Sequence, residues 1–347
     1  MSWKVEEVSE LKGYTIEWAE TGNYYLSRRN ILFHSNSFNP PFKKIAAIDA
    51  PSWKHLAGRF RLAQRLLRFM VTNVVLLVNG DLFVTFDKSV GIIRQGKYSE
   101  LKGLIRPCRV LRSACALDEK GNIYFGEYLA NDERGEMRVY KYAPGSDGLE
   151  IIYIFPPNSI KHIHGLYYDE YTKAIYCLTG DAEKECRIIR SFDEFKTQEI
   201  VGEGDESWRS VSVLFGENHL FYGTDAEFRA NYIYKLDRQT LKRESLGEVG
   251  GTVFYSKKMG EDLFFTTTAE NAPSQKENVA ALWHADKNGN CREIVKFKKD
   301  FWHPTLFMFG TIHFPTANKL ENELYFHLVG VKEDNRTFRV RNVNAEK

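Results

Sequence analysis

The sequence predicts an all-β protein, a seven-bladed β-propeller of four-stranded antiparallel blades, with six blades as the alternative. Three observations predict it. A unit of apolar strand, turn, aromatic-rich strand, polar loop and two further strands recurs along the chain. Comparable first-strand positions, at Leu67, Arg112, His164, Arg209 and Thr252, lie roughly 43 to 52 residues apart, which is blade spacing. Phe and Tyr number 24 and 18 among 347 residues, and such side chains favour pleated, half-buried surfaces.

Residues 14–48 supply the first blade, which is weakly patterned and keeps the six-bladed alternative open. The second blade runs through LLRFMVTNVVLL, a turn at Asn79-Gly80, DLFVTFD and GIIRQ. The third reads RVLRSACALD, a turn ending in Gly121-Asn122, then IYFGEY, MRVYKYA and LEIIYIF; Asn and Gly suit tight hairpins. The clearest copy spans residues 162–204: HIHGLYYDE, AIYCLTGD, CRIIRSF and TQEIVGEG. WRSVSVLF, HLFYGTD, NYIYKLD and RESLGEV make the fifth, and GGTVFYSKK, DLFFTTTAE, ALWHAD and REIVKFK the sixth. The tail offers three strands, LFMFGTIHF, ELYFHLVGV and TFRVR. A seventh blade therefore needs a fourth strand, which the N-terminal WKVEEV could supply by pairing there, with a different closure of the ring left open. A β-helix would repeat at shorter intervals, and a sandwich would not repeat a four-strand unit. Residues 1–347 read as one propeller domain.

One segment breaks the pattern. Residues 51–69 read as a short helical insertion between the first and second blades, with Leu62, Leu66 and Phe69 at helical spacing. Lys54, Arg59, Arg61, Arg65 and Arg68 make it basic. It is either a solvated helix packed on the propeller or a basic lid over an anionic ligand.

The net charge of +2 gives no global bias toward nucleic acid. The N-terminus lacks a signal-peptide pattern, and no apolar run approaches the roughly 20 residues of a membrane helix. Five cysteines without a C-x-x-C pair indicate neither a disulfide framework nor a zinc site. The expectation is a cytoplasmic protein with reduced thiols and neither a nucleic-acid nor a membrane partner; its oligomeric state is not legible.

In a propeller, the loop entering each first strand and the loop leaving each second strand open on the same face. Arg112, His162, His164, Trp208 and Arg209 occupy the first kind of place. Glu127, Tyr128, Asp181, Asp225 and Glu270 occupy the second. Carboxylates, imidazoles, guanidinium groups and flat aromatics are the groups that bind and process sugars. His162 and His164 share a strand face, because side chains alternate. With Asp181 they suit an acid–base site or, as the less favoured alternative, a divalent cation site lacking a third nitrogen or sulfur ligand; otherwise no cofactor is expected. They are equally the residue types of a partly buried, backbone-bonded pair. Arg209 is suited to grip a carboxylate with two parallel bonds, and Trp208 either stacks on a sugar or wedges between blades. Asp181 and Asp225 end in the same Gly/Thr-Asp pattern, which reads either as turn capping or as paired carboxylates. Tyr128, beside Glu127, is placed to act as nucleophile or acid. His303 and His313 are weaker candidates near the last blade.

The stretches IYFGEY, HIHGLYYDEYTKAIYCLTGD, RIIRSFDEF, SWRSVSVLF and YGTDAEFRANYIYKLDR, within residues 109–270, resemble sialidase-like propellers with BNR or Asp-box repeats. An Asp-box reads Ser-x-Asp-x-Gly-x-Thr-Trp; Ser191, Asp193 and Thr197 keep three positions, while Phe195 and Gln198 replace Gly and Trp. Ser146-Asp147-Gly148 is a more degenerate copy. The resemblance implies a turn between third and fourth strands, away from the ligand face, and so bears on fold alone. Sialidases also resemble one another in an arginine triad and an Arg-Ile-Pro segment. Here Arg112 and Arg209 offer two arginines, and Arg106-Pro107 lacks the isoleucine. Propeller polysaccharide lyases are a second analogy: they pair His and Tyr for proton abstraction with an Arg that neutralises a uronate, parts that His164, Tyr128 and Arg209 could play, although no lyase motif matches directly.

The functional expectation is a glycan-active enzyme, hydrolase or lyase, acting on an acidic sugar at the channel mouth. His164, Asp181, Glu127, Tyr128 and Asp225 are its candidate catalytic residues, and Arg209, Arg112, Trp208 and His162 its candidate binding residues. The alternative is a non-catalytic propeller that binds a glycan or a protein.

Overall fold

The computed structural model describes residues 3–286 and 289–343, which form seven sheets arranged as the blades of a propeller. The first blade holds Thr15–Glu20, Asn23–Arg28, Ile31–Ser35 and Lys43–Ala47. Its inner strand also accepts the two-residue strand Ala317–Asn318 in parallel. Blades two to six start at Val71–Leu76, Ala116–Leu117, His162–Asp169, Val213–Phe215 and Val253–Met259, and each continues through three further antiparallel strands. The seventh takes Thr311–His313, Glu323–Val329 and Thr337–Asn342 from the C-terminal region and Trp3–Glu7 from the N-terminus. Val5 lies opposite Val340 in that last pairing, so the ring is closed by joining the two ends of the chain, as the missing fourth strand required.

The core sits between blades. Tyr124 and Val139 pack on Ile163, Leu166 and Cys177 of the next blade, and Phe264 and Leu282 pack on Ile312, Phe326 and Leu328. The second strands of blades three, four and five end in glycine, Gly126, Gly180 and Gly223, where the neighbouring blade comes close. A Cβ on Gly126 would lie 2.4 Å from Ile163.

The inner strands are shorter and more irregular than their patterning suggests. In blade three only Ala116 and Leu117 are strand, because Ser113 adopts a left-handed φ of 60° and Asn73 bonds the backbone of Ser113 and Leu111. Blades one, two, four and six each carry a one-residue bulge in the first strand, at Glu17, Thr72, His164 and Phe254. A bulge leaves one residue out of the ladder and re-aims its side chain. Glu17 thereby meets Arg112 of blade three at 2.8 Å, both groups being almost fully buried, and Arg112 also donates to the Val71 carbonyl at 3.0 Å. Three blades are tied together by this one guanidinium.

The basic insertion is two helices, α1 (Ser52–Ala57) and α2 (Arg61–Leu67), rather than one. The chain turns at Gly58, where Phe69 packs too closely to admit a side chain, and Phe60 is extended. Its cations are largely spent on anchoring: Lys54 pairs with Asp87, Arg61 with Asp334 and the buried Arg65 with Asp300. A third short helix, α3 (Pro304–Phe307), replaces the start of the expected strand in the tail and abuts α2. No helix among the described residues is long and apolar enough to cross a membrane.

Because closure joins the two termini, removing residues 1–8 should expose the Thr337–Asn342 edge and open the ring. The expected result is a loss of several kcal/mol, on the scale of a broken sheet and core contact, seen as a lower urea midpoint. An unchanged midpoint would show that closure does not depend on this strand.

Candidate functional site

The face onto which entry loops and second-strand ends open carries two adjoining cavities. One, of about 260 Å³, is lined by Arg68, Thr72, Arg109, Tyr128, Phe254 and His313 among others. The other, of about 400 Å³, is lined by Lys88, Arg109, Tyr128, Lys161 and His162 among others. Arg109 and Tyr128 face both.

Behind Tyr128 lies a set of polar groups from blades four and five. His162 packs on the Tyr128 ring at 4.2 Å between centroids, and His164 follows at 5.1 Å from His162. The bulge that leaves His164 unpaired turns its imidazole toward Gly180 on the neighbouring strand. A Cβ on Gly180 would sit 2.6 Å from the His164 ring and 3.0 Å from Arg209, so the glycine provides the space both side chains occupy. Asp181 follows at once, with a φ of 125°, a conformation that non-glycine residues adopt at a cost of order 1–3 kcal/mol. That backbone brings its Oδ1 to 3.3 Å from His162 Nε2, 3.5 Å from His164 Nε2 and 3.4 Å from Arg209, while Oδ2 lies 3.2 Å from Lys161. Arg209 donates to Asp225 at 3.0 Å, and the His164 Nδ1 lies 2.9 Å from the Ser210 carbonyl.

The charges around this set differ in their effects. Burial raises the Asp225 carboxyl to about 7, with Glu270 adding to the rise and Arg209 and His164 opposing it. Burial also raises Asp181, but the His162 and His164 imidazoles beside it carry it well below its ordinary range. Tyr128 is raised by burial and by Asp181 and Asp225, so its phenol holds its proton. Arg68, in a left-handed C-cap of α2, is lowered to about 10 by burial and by the nearby Arg109 and Arg65.

Of the residues expected from sequence to share a site, His162, His164, Asp181, Arg209, Asp225 and Tyr128 come together. Glu127 and Trp208 do not, and Arg112 lines the first cavity with its guanidinium already engaged. The fully buried Glu127 carboxylate is spent on Arg106, the Arg138 backbone and the Tyr140 hydroxyl. Arg112 is spent on Glu17 inside the channel, so it is not free to grip a ligand carboxylate. Trp208 stacks on Tyr222 with Arg243 over its ring, and packs against Gly202, which is the wedge alternative. Arg209 itself is engaged by Asp181 and Asp225. His313 lines the first cavity but is deeply buried and bonded to Thr311, and burial lowers its pKa well below the ordinary value. His303 is exposed ahead of α3. Glu270 bonds Thr252.

Arg109, Lys88 and Lys161 were missed as binding candidates. Arg109 enters the third blade as a bridge to Tyr128, three residues before Arg112, and the break at Ser113 conceals the shift. Its place just ahead of a first strand was the available signal. Residues 191–197 form a turn between third and fourth strands, with the Ser191 hydroxyl accepting from Phe195 at 2.8 Å and Asp193 accepting from Thr197 at 2.8 Å.

No protein-family model matches the chain, and no curated protein matches it in sequence. Solved structures match it in fold. A catalytically inactive variant of virginiamycin B lyase from Staphylococcus aureus with quinupristin superposes with a TM-score of 0.64 at 10% identity, over 99% of this chain and 100% of that one. An oligogalacturonate lyase in complex with manganese gives 0.63 at 9% identity, over 100% and 98%. The oligogalacturonate lyase of Vibrio parahaemolyticus gives 0.62 at 8% identity, over 100% and 99%. These likenesses establish the propeller fold, and they do not extend to the sialidase-like family.

Asp225 makes the site sensitive to pH in a defined direction. Its folded value of about 7 lies above the ordinary value of about 4, so the folded state holds the proton more tightly. The stabilisation this confers is complete below about pH 4 and is lost as pH rises through 7. Asp225→Asn removes that titration. The melting temperature of the wild type should therefore fall relative to Asp225→Asn between pH 4 and pH 8, with Arg209, Glu270, His164 and Asp181 as the facing groups. Parallel profiles would contradict the assignment.

Proposed function

We propose that the protein is a lyase that cleaves an acidic glycan by β-elimination at this mouth. The observation that carries the reading is the position of Tyr128, a phenol facing two adjoining cavities whose walls hold Arg68, Arg109, Lys88 and Lys161. Two fold neighbours being oligogalacturonate lyases supports the substrate class, within the limits of a likeness in fold.

On this reading Arg68 and Arg109 hold the sugar carboxylate. Charge neutralisation there makes the proton on the adjacent carbon more acidic and stabilises the negative charge that develops in the transition state. Tyr128 acts in this step as the phenolate, its own proton having passed to solvent through the open mouth: it removes the C5 proton, the electron pair forms the C4=C5 double bond, and the bond from C4 to the glycosidic oxygen breaks. The same phenol returns the proton to the departing oxygen, so no other reactant is consumed. His162 sets the Tyr128 ring from below, and His164, Asp181, Arg209 and Asp225 hold His162 in place. His164 serves here as a positioning residue, because its imidazole is buried and one nitrogen faces a backbone carbonyl.

Incubation with oligogalacturonate and other uronate-containing oligosaccharides should yield a product with the ultraviolet absorbance of the unsaturated sugar. Tyr128→Phe should lower kcat by about 10²-fold or more, the usual worth of a proton-transfer group, with little change in KM. Arg109→Ala should chiefly raise KM. Saturable binding of these sugars without an unsaturated product would replace the lyase reading with a glycan-binding one.

A further inference from the structure

The groups behind Tyr128 carry more negative charge than their positive neighbours offset. Asp181, Asp225, Glu206 and Glu227 surround Arg209, with Glu270 close enough to act on Asp225, while Arg209 and Lys161 are the cations that touch Asp181. The Asp181 Oδ1 faces three nitrogens at 3.3, 3.4 and 3.5 Å. Charged hydrogen bonds are ordinarily shorter, about 2.7–2.9 Å. His162 is 6% exposed and neither ring nitrogen has a hydrogen-bond partner. Buried polar atoms are rarely left this way.

His164 adds a second constraint. With Nδ1 at 2.9 Å from the Ser210 carbonyl, that nitrogen carries the hydrogen and donates it. In a neutral ring Nε2 then presents a lone pair toward the Asp181 carboxylate, an arrangement relieved by a cation between them, either a proton or a metal ion. A metal-binding imidazole is commonly fixed in this way, by its other nitrogen donating to a carbonyl.

We propose that His162, His164 and Asp181 bind a divalent transition-metal ion of the zinc type. The three donor atoms lie within 4.8 Å of one another. Metal–nitrogen and metal–oxygen bonds of about 2.1 Å at a tetrahedral centre place neighbouring donors about 3.4 Å apart, which matches the spacing from Asp181 Oδ1 to both imidazoles. Two imidazoles and one carboxylate suit zinc and its neighbours over magnesium or calcium. Three protein ligands leave a four-coordinate ion one position for water or a ligand oxygen. Lys161 occupies the other carboxylate oxygen, and Oδ1 would be shared between Arg209 and the ion. A positive ion beside His162 would also lower the Tyr128 phenol, which its present neighbours raise. This last consequence rests on the lyase reading, whereas binding of the ion does not.

The test is calorimetric titration of chelator-treated protein with Zn²⁺ alone. One ion per chain is expected, weakened at least 100-fold in His162→Ala and Asp181→Asn and unchanged in His303→Ala. Pulsed electron paramagnetic resonance of the wild type loaded with Cu²⁺ needs no variant, and should detect two coordinated imidazole nitrogens. Absence of a bound ion, equal affinity in Asp181→Asn, or a signal without two imidazoles would overturn the proposal. Zn²⁺ binding without uronate cleavage would count against the lyase reading and leave the metal site standing. Cleavage by protein that binds no ion would do the reverse.

Discussion

The pairing of Trp3–Glu7 with Thr337–Asn342 is the constraint on which the rest of the structure depends. A propeller blade buries its faces against its neighbours on either side, so a ring with a gap leaves two faces in water and one sheet edge unpaired. Joining the chain ends within one blade removes that gap. It also sets the spacing of the inner strands around the channel, and every group at the mouth takes its position from an inner strand or from a loop attached to one.

Within that ring the channel is held by polar contacts as well as by packing. Glu17, Arg112 and the Val71 carbonyl tie three blades across the interior. A buried pair of this kind contributes little over a hydrophobic substitute, but breaking it is costly because one charge is left stranded. That account explains why an arginine suited by type to binding a ligand is unavailable for it. The same logic applies to Glu127, enclosed by Arg106 and Tyr140, and to Trp208, enclosed by Tyr222 and Arg243. Arg112 and Trp208 join neighbouring blades in this way, whereas Glu127 holds blade three to the loop that enters it.

The mouth is divided electrically. Blades two and three and the α2 cap bring Arg68, Lys88 and Arg109 to one side, while blades four to six bring Asp181, Asp225, Glu206, Glu227 and Glu270 to the other. Tyr128 and His162 stand at the boundary. An acidic sugar would be drawn to the first side and a cation to the second, so the lyase and metal readings use different halves of one surface. The strain at Asp181 and the space at Gly180 lie at that boundary, where backbone cost is offset by the contacts it permits.

The choice of seven blades over six and the closing role of the N-terminal strand were decided only by the structure, but strand order within a blade was legible in the sequence, because repeat spacing and side-chain alternation are local properties that survive without neighbours. So was the meeting of His162, His164, Asp181, Arg209 and Asp225, since equivalent positions in adjacent blades must converge on one rim. Tertiary structure decided the rest. One-residue bulges at Glu17, Thr72, His164 and Phe254 leave no mark in an apolar pattern, yet they set which side chain enters the channel. The break at Ser113 is equally invisible in the pattern; beside it Arg109 lines both cavities while the Arg112 guanidinium turns to Glu17. Whether a charged group is free or engaged depends on partners far away in the chain, and that information exists only once the ring has closed.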